Sequence, residues 1–553
     1  MYLDAVICAS NGMNVGAKLT SAYKHYNKDL VEKIFYIHTE KGEKLPISIP
    51  DLRDYWRGEQ EDKEGGIEAE SSGISLLNGL YLFRFLQKYG FAVELIYDLP
   101  REKDKLRDIL EKNPSAIIVL STTFLATMDQ LKRAVNSLRE INKENIIIVG
   151  GPFIYKSFKI LYQYPYYEKY KSYLSHDLFN EDSDIDVNYV IFSQRGEMTL
   201  CELLSRLKKR EPIDNIKNVL YKRNGKWVYT GFREEKSVDM EEEVAILDWE
   251  NIPEEYLHKR VAIRGSIGCP YRCKFCNLPF FVPKFRWKSM ETLIKEVKAI
   301  SSRKIVRDIF FVDDNLFFSS ERLADFSKGV IKEKIPLTYT SFIRANIIRR
   351  VDSRLLKEAG FRAFNIGVES GDERILKNMQ KLDTVENHRV SIEHINKLGI
   401  NAYLTFIIGF PGETNETIEN TFSFMNSLCD LDNSINVSIP FPFLLNPLSP
   451  ISEPSERAKY GLEGMYYDWR HNTMDSEEAL MMTFEAIYKV KYSLPLFKDN
   501  DPYFIHQRYK WSYNHIKGIC KLISEIIRLQ VREPLEIAKK EELIGKLKSL
   551  VMT

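Results

Sequence analysis

Apolar and polar positions alternate in two periods along this chain, and the two periods take turns. From residue 1 to about 205, short apolar runs with strand character are separated by runs whose apolar residues recur at helical spacing. Residues 4–9, 91–97, 116–120, 146–149 and 190–192 read as strands. Residues 73–89, 105–111 and 128–141 read as helices, the first with Ile74, Leu77, Leu80, Tyr81 and Phe85 on one face, and a short helix runs to Leu207. This alternation predicts a Rossmann-like, doubly wound parallel sheet over residues 1–207. Residues 208–255 read as a connector. Within it, Asn224-Gly225 between two β-prone runs predicts a two-residue hairpin, and the acidic run 239–243 reads as solvated linker. From 256 to 450 strand character recurs six times, at 261–264, 309–312, 337–341, 363–368, 403–408 and 436–439. Helical runs at 292–300, 323–331, 353–359, 384–398 and 417–428 separate most of them, so this region is also α/β. Residues 451–553 read as an aromatic-rich helical cap, with an amphipathic run over 522–550 broken at Pro534. Residues 40–72 are polar, with a charge-rich patch at 58–66, and read as a surface insertion.

Composition narrows the class. A chain of 553 residues has room for about three or four domains. At 44% hydrophobic and 28% charged it has an ordinary globular composition. A net charge of +1 leaves no footprint of a nucleic-acid groove or an anionic membrane surface. No apolar run is long enough for a membrane span. The first residues carry an early acid and no basic n-region, so they read as a strand and not as a signal peptide. Of seven cysteines, Cys8, Cys201, Cys429 and Cys520 are scattered, a usage that fits a reducing cytoplasmic setting without disulfides.

The other three cysteines carry the chemistry. Cys269, Cys273 and Cys276 follow the apolar run Val261-Ala262-Ile263 in a Cys-x3-Cys-x2-Cys spacing. Four thiolates saturate a [4Fe–4S] cube, so three close cysteines suggest a cluster with one open iron. A zinc knuckle, or three unrelated cysteines, are the alternatives; zinc prefers paired spacings, and no second pair lies nearby.

This spacing, with the aromatic Phe275 before the last cysteine, resembles the signature of the radical S-adenosylmethionine (radical SAM) superfamily. The resemblance implies an open, partial (β/α)6 barrel with its chemistry at the carboxyl ends of the strands. It implies that the cluster, held by Cys269, Cys273 and Cys276, binds S-adenosylmethionine and cleaves it to a 5′-deoxyadenosyl radical. On the same resemblance, Asp313 and Asp314 lie near the methionine end, Arg344 is a candidate for the carboxylate, Glu369 for an adenosyl contact, and Gly409 with Ile439 for the adenine. Each alone reads equally as a turn glycine or a surface charge.

In the first sheet, the strand ends carry small residues: Ser121-Thr122-Thr123, Gly150-Gly151 and Gly196-Glu197. Small residues let a bulky ligand approach the backbone, and ligands of doubly wound sheets sit at the carboxyl strand ends. Their order resembles the cobalamin-binding domain that precedes the radical core in one large radical SAM class. The alternative is an unoccupied Rossmann-like domain. One departure stands out: many such domains carry a cobalt-binding histidine after the first strand, whereas 9–16 here contain none, and His25 and His38 lie farther on.

The whole chain therefore resembles cobalamin-dependent radical SAM proteins, and looks most like the phosphinothricin-type P-methyltransferase branch. The resemblance implies hydrogen abstraction by the deoxyadenosyl radical, then methyl transfer from methylcobalamin to an unactivated carbon or a phosphinate phosphorus of a small-molecule or peptide substrate. It implies an electron donor such as flavodoxin or ferredoxin. A radical cyclase or rearrangement enzyme without net methyl transfer is the first rival, and a non-catalytic cobalamin or iron–sulfur sensor the second. The segment Trp469-Arg470-His471 either touches substrate or is a packed structural element, with His471 as a hydrogen bonder.

Overall fold

The computed structural model describes residues 3–10, 32–34, 36–57, 73–125, 127–163, 185–236, 238–428, 434–490 and 502–553. The loop 11–16, His25, the patch 58–66 and Cys429 lie outside these residues. The described residues fall into two compact units, one drawn from 1–13, 74–263 and 291–306, the other from 14–73, 264–290 and 307–553.

The first unit is built on a seven-stranded sheet. Its strands are β1 (Ala5–Cys8), β2 (Val93–Ile96), β3 (Ile117–Ser121), β4 (Ile147–Gly150), β5 (Tyr189–Ile191), β6 (Val219–Arg223) and β7 (Lys226–Tyr229). They lie in the order β7-β6-β5-β4-β3-β1-β2. The first five are parallel. Their order, 2-1-3-4-5, reverses between β1 and β3, which makes that junction the topological switch point. The apolar runs are continuous because both faces are covered: β1 is buried at all four positions. Helix Met128–Ile141 shows how a crossover is set. Thr127 caps it by accepting from the Gln130 N–H, and Leu131, Ala134, Val135 and Leu138 face the sheet. The hairpin expected at Asn224-Gly225 forms, with φ of 52° and 78° at its two turn residues. It lies antiparallel at the edge of this sheet. A further strand, β8 (Arg260–Ile263), pairs in parallel with the short strand Ile74–Ser75.

The second unit holds five parallel strands in sequential order: β9 (Asp308–Phe311), β10 (Thr338–Ile343), β11 (Phe361–Glu369), β12 (Asn401–Ile408) and β13 (Asn436–Pro442). All six expected strands of the 256–450 region are therefore present. Three of the five are stitched by one buried ion pair. Arg362 donates to Asp308 at 2.7 and 3.1 Å, and Thr338 donates to the same carboxylate at 2.7 Å.

Four regions differ from the sequence reading. Ile74 lies on the short strand Ile74–Ser75, and the helix begins only at Leu77. The acidic run 239–243 is no linker: Asp239 caps helix Met240–Leu247, and Glu243 is buried. Residues 36–57 are no surface insertion. Leu45, Ile47, Ile49 and Leu52 are buried in one apolar cluster with the C-terminal helices Ser476–Lys489, Tyr513–Arg532 and Ile537–Met552. Their apolar positions are sparse, and their partners lie at the other end of the chain, so local polarity concealed the burial. Residues 463–475 are strands, not helix: Glu463–Met465, Asp468–His471 and Met474–Asp475 form a three-stranded sheet. Left-handed Tyr466 lies in its first turn, and left-handed Gly464 in the strand before it. The break at Pro534 falls between the last two helices as expected. Among the described residues no helix is long and apolar enough to cross a membrane.

The Asp308–Arg362 pair gives a direct test. Removing one partner strands a buried charge, so Asp308→Ala or Arg362→Ala should cost about 3–5 kcal/mol in chemical denaturation. The double variant should lose less than the sum of the two. Single losses under about 1 kcal/mol would show that the pair does not hold the strands together.

Candidate active site

The thiol loop follows a short strand, Ser266–Ile267, which pairs with Arg286–Trp287. It is entered through Gly268, at φ 88°, where a Cβ would press on Val282. The loop is then fastened on several sides. The Lys274 N–H donates to the Met379 carbonyl at 2.8 Å, and the Lys274 carbonyl accepts from Ile451 at 3.0 Å. The Lys274 ammonium meets Glu456 at 2.6 Å, and the Asn277 side chain donates to the Pro447 carbonyl at 3.1 Å.

Cys273 is buried, while Cys269 and Cys276 are half-buried. Burial raises the thiols of Cys269 and Cys276, the latter to about 11, and the neighbouring thiols and Asp314 add to the rise. The thiols of Cys269 and Cys276 thus feel the charge of Cys273 and Asp314. A bound cation would have to displace those protons, as thiolate ligation requires. Among the described residues no three His, Cys, Asp or Glu side chains converge on a single ion; in a cluster each thiolate takes its own iron. Phe275 stands half-buried between Lys274 and Cys276.

The two aspartates after β9 do different work. Asp313 is buried and accepts from the Gly265 N–H at 2.9 Å and the Ser266 hydroxyl at 2.6 Å. Burial raises its carboxyl to about 7, against the pull of those donors and of Lys288. It pins the strand that leads into the thiol loop. Asp314 is the one that senses the thiols.

Arg344 follows β10, and its guanidinium nitrogen lies 4.0 Å from the Cys273 sulfur. Glu369 ends β11 with a left-handed φ of 71°, a strained value for a residue with a side chain. Its carboxylate pairs with Lys381 at 2.9 Å, and both residues are buried. Gly367 is required beside them, since a Cβ there would collide with both groups. The sequence reading missed Lys381: it follows a helix end, and no spacing ties it to Glu369.

Gly409 and Ile439 are not neighbours in register, because Ile439 pairs with Thr405. Gly409 has φ 92°, and a Cβ on it would run into Ala479 and the Trp469 ring. That face is filled by protein. The Gly409 carbonyl meets His471 Nε2 at 3.1 Å, while Thr473 donates its N–H to His471 Nδ1 at 3.3 Å. Both ring nitrogens are thereby used, and the ring stacks on Trp469 at 5.1 Å. His471 is a structural hydrogen bonder here.

In the first unit, the strand ends at the switch point form a cradle. The Thr122 N–H and hydroxyl both donate to the Gly150 carbonyl, at 2.8 and 2.9 Å. Gly151, at φ 119°, passes so close that a Cβ would sit 2.9 Å from the Thr122 hydroxyl. Ser121 and Thr123 share a hydrogen bond of 3.0 Å. Asn78 donates to the Ala9 carbonyl and to Ser121, yet its own oxygen is buried without a partner, as is the Ser10 hydroxyl. Two orphaned polar atoms at a switch point suit a polar ligand edge. Gly196 caps helix Glu197–Lys209, and a Cβ there would meet Ile191 at 2.7 Å. Close by, Glu235 accepts from Ser193 at 3.0 Å and from Thr199, a carboxylate that the connector sequence did not reveal. His38 lies in the second unit, on strand Tyr36–His38.

Comparison with known proteins adds a frame. Residues 263–425 match the model of the radical SAM superfamily. An uncharacterised methyltransferase of Pyrococcus horikoshii is 26% identical over 362 residues, covering 64% of this chain and 72% of that protein. An anaerobic magnesium-protoporphyrin IX monomethyl ester cyclase of Rubrivivax gelatinosus is 24% identical, over 62% of this chain and 60% of its own length. Among solved structures, the radical S-adenosylmethionine methyltransferase TsrM from Kitasatospora setae, with cobalamin and a [4Fe–4S] cluster bound, shares the fold. Its TM-score is 0.52 at 16% identity, with 82% of this chain and 96% of that chain covered.

Glu413 offers a pH test. It is fully buried, accepts from the Gly409 N–H, and leaves one oxygen unpaired. Burial raises its carboxyl from the ordinary 4.5 to about 8. The folded state therefore holds this proton more tightly, and the stability it contributes is complete below 4.5 and lost as the pH rises through about 8. Glu413→Gln should match the wild type at about pH 4 and exceed it increasingly from there up to about pH 8 in thermal unfolding. Parallel pH profiles for the two proteins would refute the assignment.

Proposed function

On the premise that residues 263–425 are a radical SAM domain, we propose that the chain is a cobalamin-dependent radical SAM methyltransferase. The observation that supports it most is the pairing of two features in one chain. One is a fastened loop of three thiols, and the other is a small-residue cradle at the switch point of a separate parallel sheet. When bound, the cluster with S-adenosylmethionine supplies a carbon radical, and the corrinoid supplies a transferable methyl group.

The chain's own residues do the holding. Cys269, Cys273 and Cys276 give three thiolates and leave a fourth iron for substrate. The buried Glu369–Lys381 pair offers a carboxylate and an ammonium, the groups that suit the amino and carboxylate ends of a zwitterion. Asp314 adds a further carboxylate on the thiol side. In the first sheet Ser121, Thr122, Thr123, Gly150 and Gly151 would line the corrinoid's edge, with Ser10 and Asn78 giving it hydrogen bonds. The substrate is a small molecule or peptide with an unactivated carbon or a P–H group. A low-potential iron–sulfur or flavin protein would supply the electron. A radical cyclase is the second reading, because several relatives are cyclases.

Anaerobic reconstitution of the full chain tests this. We expect about four irons and one corrinoid per chain. Cys273→Ala should lose the iron and leave the corrinoid. Iron without corrinoid, with cobalamin supplied in excess, would overturn the methyltransferase reading. A product of altered mass but no added methyl would favour the cyclase.

A further inference from the structure

We propose that Arg344 is a positioning residue for the thiol-bound cluster: its guanidinium is the fixed counter-charge of the Cys273 thiolate and raises the potential at which the cluster accepts its electron. The inference rests on the reading that the three cysteines hold a cluster. It assigns Arg344 a role other than clamping the carboxylate of S-adenosylmethionine.

The guanidinium is held by its face and its two terminal nitrogens, while its Nε is buried without a partner. Its Cζ lies 3.9 Å above the Tyr271 ring, and Tyr271 belongs to the thiol loop itself. One terminal nitrogen reaches the Cys273 sulfur at 4.0 Å. The other donates to the Lys381 carbonyl, and to that of Leu382 at 3.4 Å. The residue is 8% exposed. A planar fork gripped this way has little freedom to swing toward a ligand.

Its charge lacks a carboxylate. Among the described residues no Asp or Glu lies within ion-pair distance of Arg344: Glu369 pairs with Lys381, Asp313 accepts from Gly265 and Ser266, and Asp314 acts on the thiols of Cys269 and Cys276. A buried cation without a counter-ion is costly. The anions nearest it would be the thiolates of a bound cluster, which gains one negative charge on reduction.

The backbone is bent to suit. Gln380 and Leu382, neither a glycine, both adopt left-handed conformations, at φ 51° and 53°. Between them the Lys381 carbonyl, and beside it that of Leu382, turn toward the guanidinium. The same bend leaves the Leu382 side chain 72% exposed. Strain of this kind persists where surrounding structure over-determines it, and here it aims two acceptors at one cation.

The redox consequence follows from charge. One electron passes from an external donor, a low-potential iron–sulfur or flavin protein or dithionite, into the cluster, with no bond made or broken. A cation that donates to a ligating sulfur stabilises the more negative, reduced form and so raises the potential.

The test is a redox titration followed by electron paramagnetic resonance on the full reconstituted chain, without S-adenosylmethionine. Arg344→Met should shift the midpoint potential to a more negative value while the iron content stays at the wild-type level. An unchanged potential with S-adenosylmethionine binding weakened more than about tenfold would overturn the proposal and make Arg344 a carboxylate clamp. Should Arg344→Met fail to take up iron, Arg344→Gln, which keeps a donor but no charge, is read instead, and an unchanged potential there has the same meaning. If the wild-type chain itself gives no cluster signal, the cluster reading fails, and not only the role of Arg344.

Discussion

Three thiols act together only if the loop that joins them cannot move, and that constraint organises the second unit. The loop has no regular structure of its own, so its rigidity is borrowed. Lys274 supplies most of it: backbone bonds in two directions and a buried ammonium on Glu456. Asp313 secures the approach, and glycine at 268 permits the entry. Each anchor comes from a different stretch of chain, around 313, 379, 447 and 451–456. The loop is therefore rigid only when the whole unit is folded.

Both units use the ends of parallel strands, but they treat those ends in opposite ways. In the first sheet small residues line the strand ends, and polar atoms at Ser10 and Asn78 are left without partners. In the second unit the strand ends carry polar pairs: Glu369 with Lys381, and the Arg344 guanidinium against the Cys273 sulfur. A polar edge of small residues suits a large ligand recognised along its rim. A charged one suits a small ligand recognised by its charges.

Much of this was legible in the sequence. The strands of both sheets, the Asn224-Gly225 hairpin and the break at Pro534 were all set by local pattern, and all formed. The cysteine spacing announced the loop because ligand spacing is a local property. What escaped the reading was non-local. Asp313 and Asp314 are adjacent and chemically identical, and only the fold separates a pin from a neighbour of the thiols. Lys381 becomes visible beside Glu369 only after the chain turns back on itself. Trp469 and Ala479, which an added Cβ on Gly409 would meet, come from a segment some 60 residues away in sequence. His471 fell in a region read as a helical cap, yet it lies on strand Asp468–His471, which follows a turn with left-handed Tyr466.

The interlock of residues 36–57 with the last helices has a consequence in time. Arg53 donates to the Val551 carbonyl at 2.6 Å across a separation of 498 residues. Ribosomal synthesis at about 5–20 residues per second leaves this early segment waiting roughly 25–100 s for its partner. Throughout that interval Ile47, Ile49 and Leu52 lack the helices that complete their cluster. Birth order thus leaves one of the first segments made to be among the last to finish folding.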